Sequence, residues 1–377
     1  MAKLSFLRLA TLITLYPIMV LLLGACSDQS VGSDPKSVLF SDSTPAVKGT
    51  PASPNYVITL PADHLAHPDF SVEWWYLTAN LHDENGADYA FQWTLFRFKT
   101  RDQINAWDNG QSYMAHVSLH SKNKHWFAER FARGGVGNAG VTEQPLSLFL
   151  DDWQWQADEG QGLLFPSTIT VRNIPDTQMK QPAQDIEVSL HLSTHGPFVL
   201  HGQKGYSVKS VTPPLASHYY SQPFIQVTGG LRVNGQEHQL TGQGWFDHEW
   251  SSQLMDTSTA GWDWFSIHLD NGAKIMAFRM RLLGQTDYIS GSYIEPNGTS
   301  TALSSSELAL VPQSQTQVAG RLFPLTWRLS LANKNIELKL QANKSDQLNS
   351  GRFAYYEGAL NISGTHSGKG FMELTGY

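Results

Sequence analysis

Cysteine is nearly absent from this 377-residue chain: a single thiol, Cys26, stands in the whole sequence. Disulfides are thereby excluded as a source of stability, and the fold has to rest on a buried core. Charge is scarce as well, at 16% of residues, and the formal net charge of −7 argues against nucleic acid as a partner. Long stretches of helical period are missing, because almost every apolar run is short, alternating, and ends at Gly, Pro or Asn-Gly. Catalytic signatures are missing too: there is no Gly-x-Ser-x-Gly elbow, no phosphate-binding Gly-rich loop and no His-Glu-x-x-His. The 14 histidines form no tight group in sequence, so neither a metal nor a cofactor is expected. Aromatic side chains are plentiful at 11%, which with the alternating runs indicates an all-β protein with an aromatic interior.

The N-terminal segment carries Lys3 and Arg8, then an uncharged run from Leu9 to Ala25, then Cys26. That is a signal-peptide layout over residues 1–25, too short and too interrupted at Pro17 for a spanning helix. Leu23-Gly24-Ala25-Cys26 resembles the lipobox of bacterial lipoproteins, which makes Cys26 the expected lipidated residue and membrane attachment by a lipid anchor the expected consequence. Ser27 in place of Asp points to the periplasmic face of the outer membrane. Residues 26–55, rich in Ser, Asp, Pro and Gly, read as a flexible tether in the cell envelope.

The remainder reads as two related units. Glu73–Leu81 runs through Asp83-Glu84-Asn85-Gly86 into Asp88–Lys99, and Trp262–Leu269 runs through Asp270-Asn271-Gly272 into Ala273–Leu283, both as hairpins. Trp74, Tyr76 and Leu81 match Trp262, Trp264 and Leu269 in spacing, and Gly242–Asp247 matches Gly368–Glu373 at the ends. A duplication with unequal loops accounts for these matches, and chance similarity of hairpins is the alternative. Consecutive antiparallel strands that must hide their edges imply two lipocalin-like β-barrel domains, residues 56–250 and 251–377, with an immunoglobulin-type sandwich array as runner-up.

Gly244–Trp250 is the densest polar and aromatic cluster. On a strand, Phe246, His248 and Trp250 share one face, while Trp245, Asp247 and Glu249 share the other. His248 between two carboxylates suits a raised pKa and proton transfer, or a buried structural histidine. Glu73 ahead of Trp74, Trp75 and Tyr76 suits a cavity mouth, or a rim residue beside core aromatics. Gln92 shares a face with Thr94, and His116 shares one with Met114, Ser118 and His120, turned either to a polar cavity or to solvent. Tyr219 and Tyr220, read as a loop end, either gate a pocket or pack between domains.

EWWYLTANL (73–81), FQWTLFRF (91–98), YMAHVSL (113–119), YYS (219–221), GWFDHEWSSQ (244–253), GWDWFSIHLDNGAKIMAFRMR (261–281) and GFMELTGY (370–377) together resemble the AttH-like, carotenoid 1,2-hydratase-related family of two-domain lipocalin-like proteins. The resemblance implies the two-barrel, calycin-like fold. Many members are secreted or lipid-anchored and associated with ABC-type exporter permeases; others hydrate a terminal double bond of a carotenoid, and related proteins guide polyene cyclisation. The Asp-His-x-Trp segment of the hydratases matches Asp247, His248 and Trp250, which implies catalytic roles for them if the chain is an enzyme. The Tyr-x-Asp acid of the hydratases falls on Met276-Ala277-Phe278-Arg279, where no carboxylic acid stands.

The leading expectation is a lipid-anchored protein that binds a hydrophobic, lipid-like or isoprenoid-like molecule and serves an ABC transporter permease. Glu73, Trp74, Trp75, Tyr76, Gln92, His116, Tyr219, Tyr220, Glu249, Trp262 and Trp264 are its candidate ligand-binding residues. A hydro-lyase or cyclase acting on a polyene, and a structural partner of an exporter, are the alternatives.

Overall fold

A computed structural model describes residues 49–105, 107–158, 163–174, 186–211, 214–252 and 255–377. The signal peptide read over residues 1–25 and the lipidation of Cys26 lie outside them, as does most of the segment read as a tether. The described residues form almost nothing but antiparallel strands, in two sheets. Among them, no helix is long and apolar enough to cross a membrane.

In the first sheet His125–Arg133, Gln111–Ser121, Asp88–Lys99, Val72–Asp83, Gln236–Ser251, Pro214–Val233 and Ile186–Thr194 lie side by side, followed by shorter strands out to Ala139–Glu143. The second sheet repeats the order: Tyr288–Ile294, Lys274–Leu282, Thr259–Leu269, Gly368–Leu374, Ala354–Gly364, Ile336–Ala342, Arg321–Leu331. In each, the first long strand pairs with a late one, Tyr76 opposite Asp247 and Trp264 opposite Glu373. The chain is therefore all-β, in two consecutive lipocalin-like units built on one plan.

Period-2 alternation sorts the side chains. Trp75, Leu77, Ala79 and Leu81 join Phe91, Trp93, Trp155, Phe246 and Trp250 in the first core. Phe265, Ile267, Trp327, Leu338 and Tyr356 belong to the second. The opposite faces of the same central strands meet each other, and Tyr76, Tyr219, Trp245, Trp264, Met276, Phe278 and Phe371 form a third, interdomain layer. Gly242 and Gly368 stand at corresponding places where a Cβ would collide with a carbonyl oxygen, of Asn80 and of His268. Only glycine lets the paired backbones come that close.

Candidate functional site

The alternation read at Gly244–Trp250 holds, and its consequence is that the sequence candidates belong to two sites rather than one. Glu73, Trp75, Tyr220, His248 and Trp250 point into the first domain. Trp74, Tyr76, Tyr219, Asp247, Glu249, Trp262 and Trp264 point to the layer between domains. Tyr219 and Tyr220 are not a loop end: they lie within the Pro214–Val233 strand, back to back on its two faces.

Inside the first domain, Glu73 is fully buried and is no rim residue. Its Oε1 faces His67 Nδ1 at 2.6 Å and His248 Nε2 at 2.8 Å, and its Oε2 accepts from Arg97 Nε at 2.7 Å and from the His67 backbone N–H at 2.8 Å. Arg97 donates further to Gln111 Oε1 and to the carbonyls of His67 and Phe70. Burial alone would raise the Glu73 carboxyl, but the hydrogen bonds from His248 and His67 and the Arg97 charge outweigh it and hold it well below the usual carboxylate range. His248 does not carry the raised pKa expected between two carboxylates, because Asp247 and Glu249 point away from it. Burial takes it down to about 4, against the pull of Glu73. Its ring stacks on Trp75 at 4.6 Å, and its Nδ1 lies 3.0 Å from the Tyr220 hydroxyl, which also meets His64 Nδ1 at 2.7 Å.

The interdomain layer holds the acids. Phe278, Trp264, Glu373 and Glu357 form one transverse row across the second sheet, and Thr94, Tyr76, Asp247 and Ser221 form the facing row in the first. Tyr76 donates from its hydroxyl to Glu357 Oε1 at 2.5 Å, Trp262 Nε1 donates to Glu373 Oε1 at 2.5 Å, and Trp264 Nε1 donates to the Tyr219 hydroxyl at 3.1 Å. Asp247 accepts from Tyr219 at 2.9 Å, from Trp245 Nε1 at 2.7 Å and from Ser221. Glu249 is ion-paired to Lys209 Nζ at 2.7 Å, and that ammonium lies over the rings of Tyr219 and Phe278.

Glu357 and Glu373 sit directly opposite each other on adjacent strands, where two negative charges repel. Burial, and then the Glu373 charge, push Glu357 well above the carboxylate range; burial pushes Glu373 up to about 7. Burial likewise takes Asp247 up to about 7, despite its three donors. Glu357 is thereby held in its protonated form, and Glu373 and Asp247 take up their protons as pH falls through about 7. Trp74, Trp262, Tyr288 and Glu373 are only half-buried, so the layer runs from a closed interior at Glu357 to a solvent-reached edge.

Sequence reasoning missed Glu357 altogether and placed Glu373 only as the end of a repeat. The signal available was Tyr355-Tyr356-Glu357, a carboxylate within an aromatic strand of the same kind as Glu73. Met276 and Phe278 do face the layer, and its acids come from two neighbouring strands instead. Gln92 is buried on the interdomain side of its strand, bonded to Thr94, outside the acid row. His116 is buried and does not face solvent. It packs against the second domain, 2.9 Å from the Tyr355 hydroxyl and 3.0 Å from Glu129 Oε2.

Two layered calycin-like units with a buried acid row between them define the class, and comparison supplies the family. The AttH-like family profile matches residues 51–377, and the chain belongs to that family. A Nitrosomonas europaea protein assigned to AttH superposes with a TM-score of 0.75 at 29% identity, over 87% of this chain and 99% of that one. Kievitone hydratase from Nectria haematococca shares the fold, with a TM-score of 0.60 at 15% identity over 88% of this chain and 96% of that one. No curated protein sequence matches the chain.

Proposed function

We propose that this chain takes a small apolar, unsaturated molecule, lipid-like or isoprenoid-like, against the aromatic layer between its domains. The observation that carries this reading is the Glu357–Glu373 row: neutral acids set among Tyr76, Trp262 and Trp264, in a wall that reaches solvent at Trp74 and Tyr288. Neutral carboxyls and indole rings accept an apolar ligand without desolvating a charge. Squalene, used as an acyclic polyene probe, is expected to quench tryptophan fluorescence and to raise stability by about 2.7 kcal/mol at a hundred times its Kd. Trp262→Ala is expected to weaken both effects. A panel of polyenes and fatty acids none of which stabilises the protein would overturn the reading.

The acid pair favours a second, catalytic reading, as a hydro-lyase. A carboxyl proton passes to an alkene carbon, the resulting cation is faced by indole and phenol rings, water adds to it, and the added water returns a proton to the carboxylate. Glu357→Gln and Glu373→Gln, which keep shape and remove the proton, are each expected to lower turnover by about 100-fold or more with binding retained. Unchanged turnover in both removes the pair from the chemistry.

In the same reading the chain is held at the outer membrane through Cys26 and serves an ABC-type permease. Cys26→Ser is expected to move the protein from the membrane fraction to the soluble one. A pull-down from solubilised membranes tests for the permease.

A further inference from the structure

Three side chains converge inside the first domain: His67, Glu73 and His248 each place a ligand atom within 4.8 Å of those of the other two, and His67 Nδ1 and His248 Nε2 both face Glu73 Oε1. We propose that they form a site for a divalent first-row metal ion of the zinc type, with two imidazoles and one carboxylate as ligands and a fourth position left open. The site lies on the opposite face of the sheet from the acid row, so it stands or falls independently of the function proposed above.

The case rests on how the remaining atoms of the three residues are held. Metal-binding imidazoles are characteristically fixed through their second nitrogen by a carboxylate or another polar group, and ligating carboxylates are fixed in turn. His67 Nε2 lies 3.2 Å from Asp63 Oδ1, and Asp63 itself accepts from the Tyr56 hydroxyl at 2.7 Å. His248 Nδ1 lies 3.0 Å from the Tyr220 hydroxyl, and Glu73 Oε2 is held by Arg97. All three candidate ligand atoms thus face one another, on groups anchored at the other side. The rings are also fixed in plane: His67 stacks on Trp250 at 3.9 Å and 6°, and His248 on Trp75 at 24°.

Two buried polar atoms beside the group, His64 Nε2 and Trp250 Nε1, have no hydrogen-bond partner. Such atoms are costly unless something occupies the neighbourhood at times. Ligands about 2.0–2.1 Å from a tetrahedral zinc lie roughly 3.3 Å apart, so the donors, now 2.6 and 2.8 Å from Glu73 Oε1, need to part by about 0.7 and 0.5 Å. His67 sits on the segment preceding the first strand, with 12% of its side chain exposed, and supplies both the give and the entry path. With neutral imidazoles, a divalent ion added to Glu73, Asp63 and Arg97 leaves one positive charge, which a metal-bound hydroxide would cancel.

The test uses the full-length protein stripped with a chelator and titrated separately with Zn2+ and Co2+. One equivalent is expected to bind, with a Co2+ visible spectrum of low coordination number. X-ray absorption of the zinc-loaded wild type, which needs no variant, is expected to show two imidazoles and one carboxylate oxygen. His67→Gln is expected to weaken binding more than a hundredfold. Asp63→Asn, a positioning change, is expected to weaken it about 10–100-fold. His238→Gln, in the separate cluster with Asp83 and Glu84, is expected to leave it unchanged. Absence of stoichiometric binding, affinity untouched by His67→Gln and Asp63→Asn, or binding lost with His238→Gln instead would each overturn the proposal.

Discussion

Glu73→Ala, measured in the presence of a chelator, is expected to destabilise the first domain by about 3–5 kcal/mol, a large part of the roughly 5–15 kcal/mol that holds a domain together. Arg97 is fully buried, and Glu73 is its carboxylate partner. Removing that partner leaves a guanidinium in the interior with only neutral acceptors at Gln111, His67 and Phe70. His248 and His67 lose their shared acceptor at the same time. Glu73→Gln, which keeps volume and one acceptor oxygen, is expected to cost less. Replacing both partners, Glu73→Leu with Arg97→Met, is expected to recover much of the loss, since an apolar pair avoids the desolvation that makes a half-pair so costly. Urea unfolding followed by tryptophan fluorescence gives the ordering. A single Glu73→Ala variant losing under about 1 kcal/mol would show that Arg97 finds another partner or water.

Stability is expected to peak between about pH 6 and 7 and to fall on both sides, for reasons housed in different parts of the molecule. Burial holds His248, His201, His125 and His268 neutral, with pKa values taken down to about 4, 3, 4 and 4 from 6.5. The unfolded chain then binds more protons below pH 6.5, and stability drains away as pH falls through that range. The interdomain acids have the opposite sign. Glu373 and Asp247, raised to about 7 from 4.5 and 3.8, bind protons that the unfolded chain has released, so their contribution is complete at low pH and lost as pH rises towards and through 7. Between pH 4.5 and 6.5 the histidines, with His64 and His218 also taken down to about 3 and 4, outnumber these acids; the depressed carboxylates Glu73 and Asp63 add to the loss only below about pH 4.5, and above 6.5 the acids act alone. Glu357→Gln and Glu373→Gln together are expected to make the alkaline limb shallower, leaving the share of Asp247, and to steepen the acid limb that these acids oppose. Melting temperatures across pH 4–9 decide it, and an alkaline limb undiminished by both substitutions would place its origin elsewhere.

Much of the architecture was legible because the chain states it locally. Asn85-Gly86 and Asn271-Gly272 mark corresponding hairpins, and the alternation around His248 assigned its two faces correctly before any coordinates. What stayed hidden depends on register between strands distant in sequence. Glu357 and Glu373 mean little apart; they become an acid pair only because Ala354–Gly364 and Gly368–Leu374 align them, and they become a site only because Tyr76 arrives from the other sheet. His67 belongs to a segment with no periodicity to give it a direction, so its meeting with Glu73 and His248 left no trace in spacing. The expectation of a single site uniting Glu73, Trp74, His248 and Trp262 failed for the same reason: a strand carries its neighbours to opposite faces, and here both faces are interiors.

The pairing of Val72–Asp83 with Gln236–Ser251 governs how the protein can be made. Its opening strand waits for almost the whole first unit to emerge from the ribosome before one of its edges is covered, and the second unit repeats the delay between Thr259–Leu269 and Gly368–Leu374. Topologies dominated by such distant contacts assemble slowly and keep apolar edges bare in the meantime. A cell making this chain in quantity therefore has to guard its nascent strands until the last seven-residue strand, Gly368–Leu374, is in place.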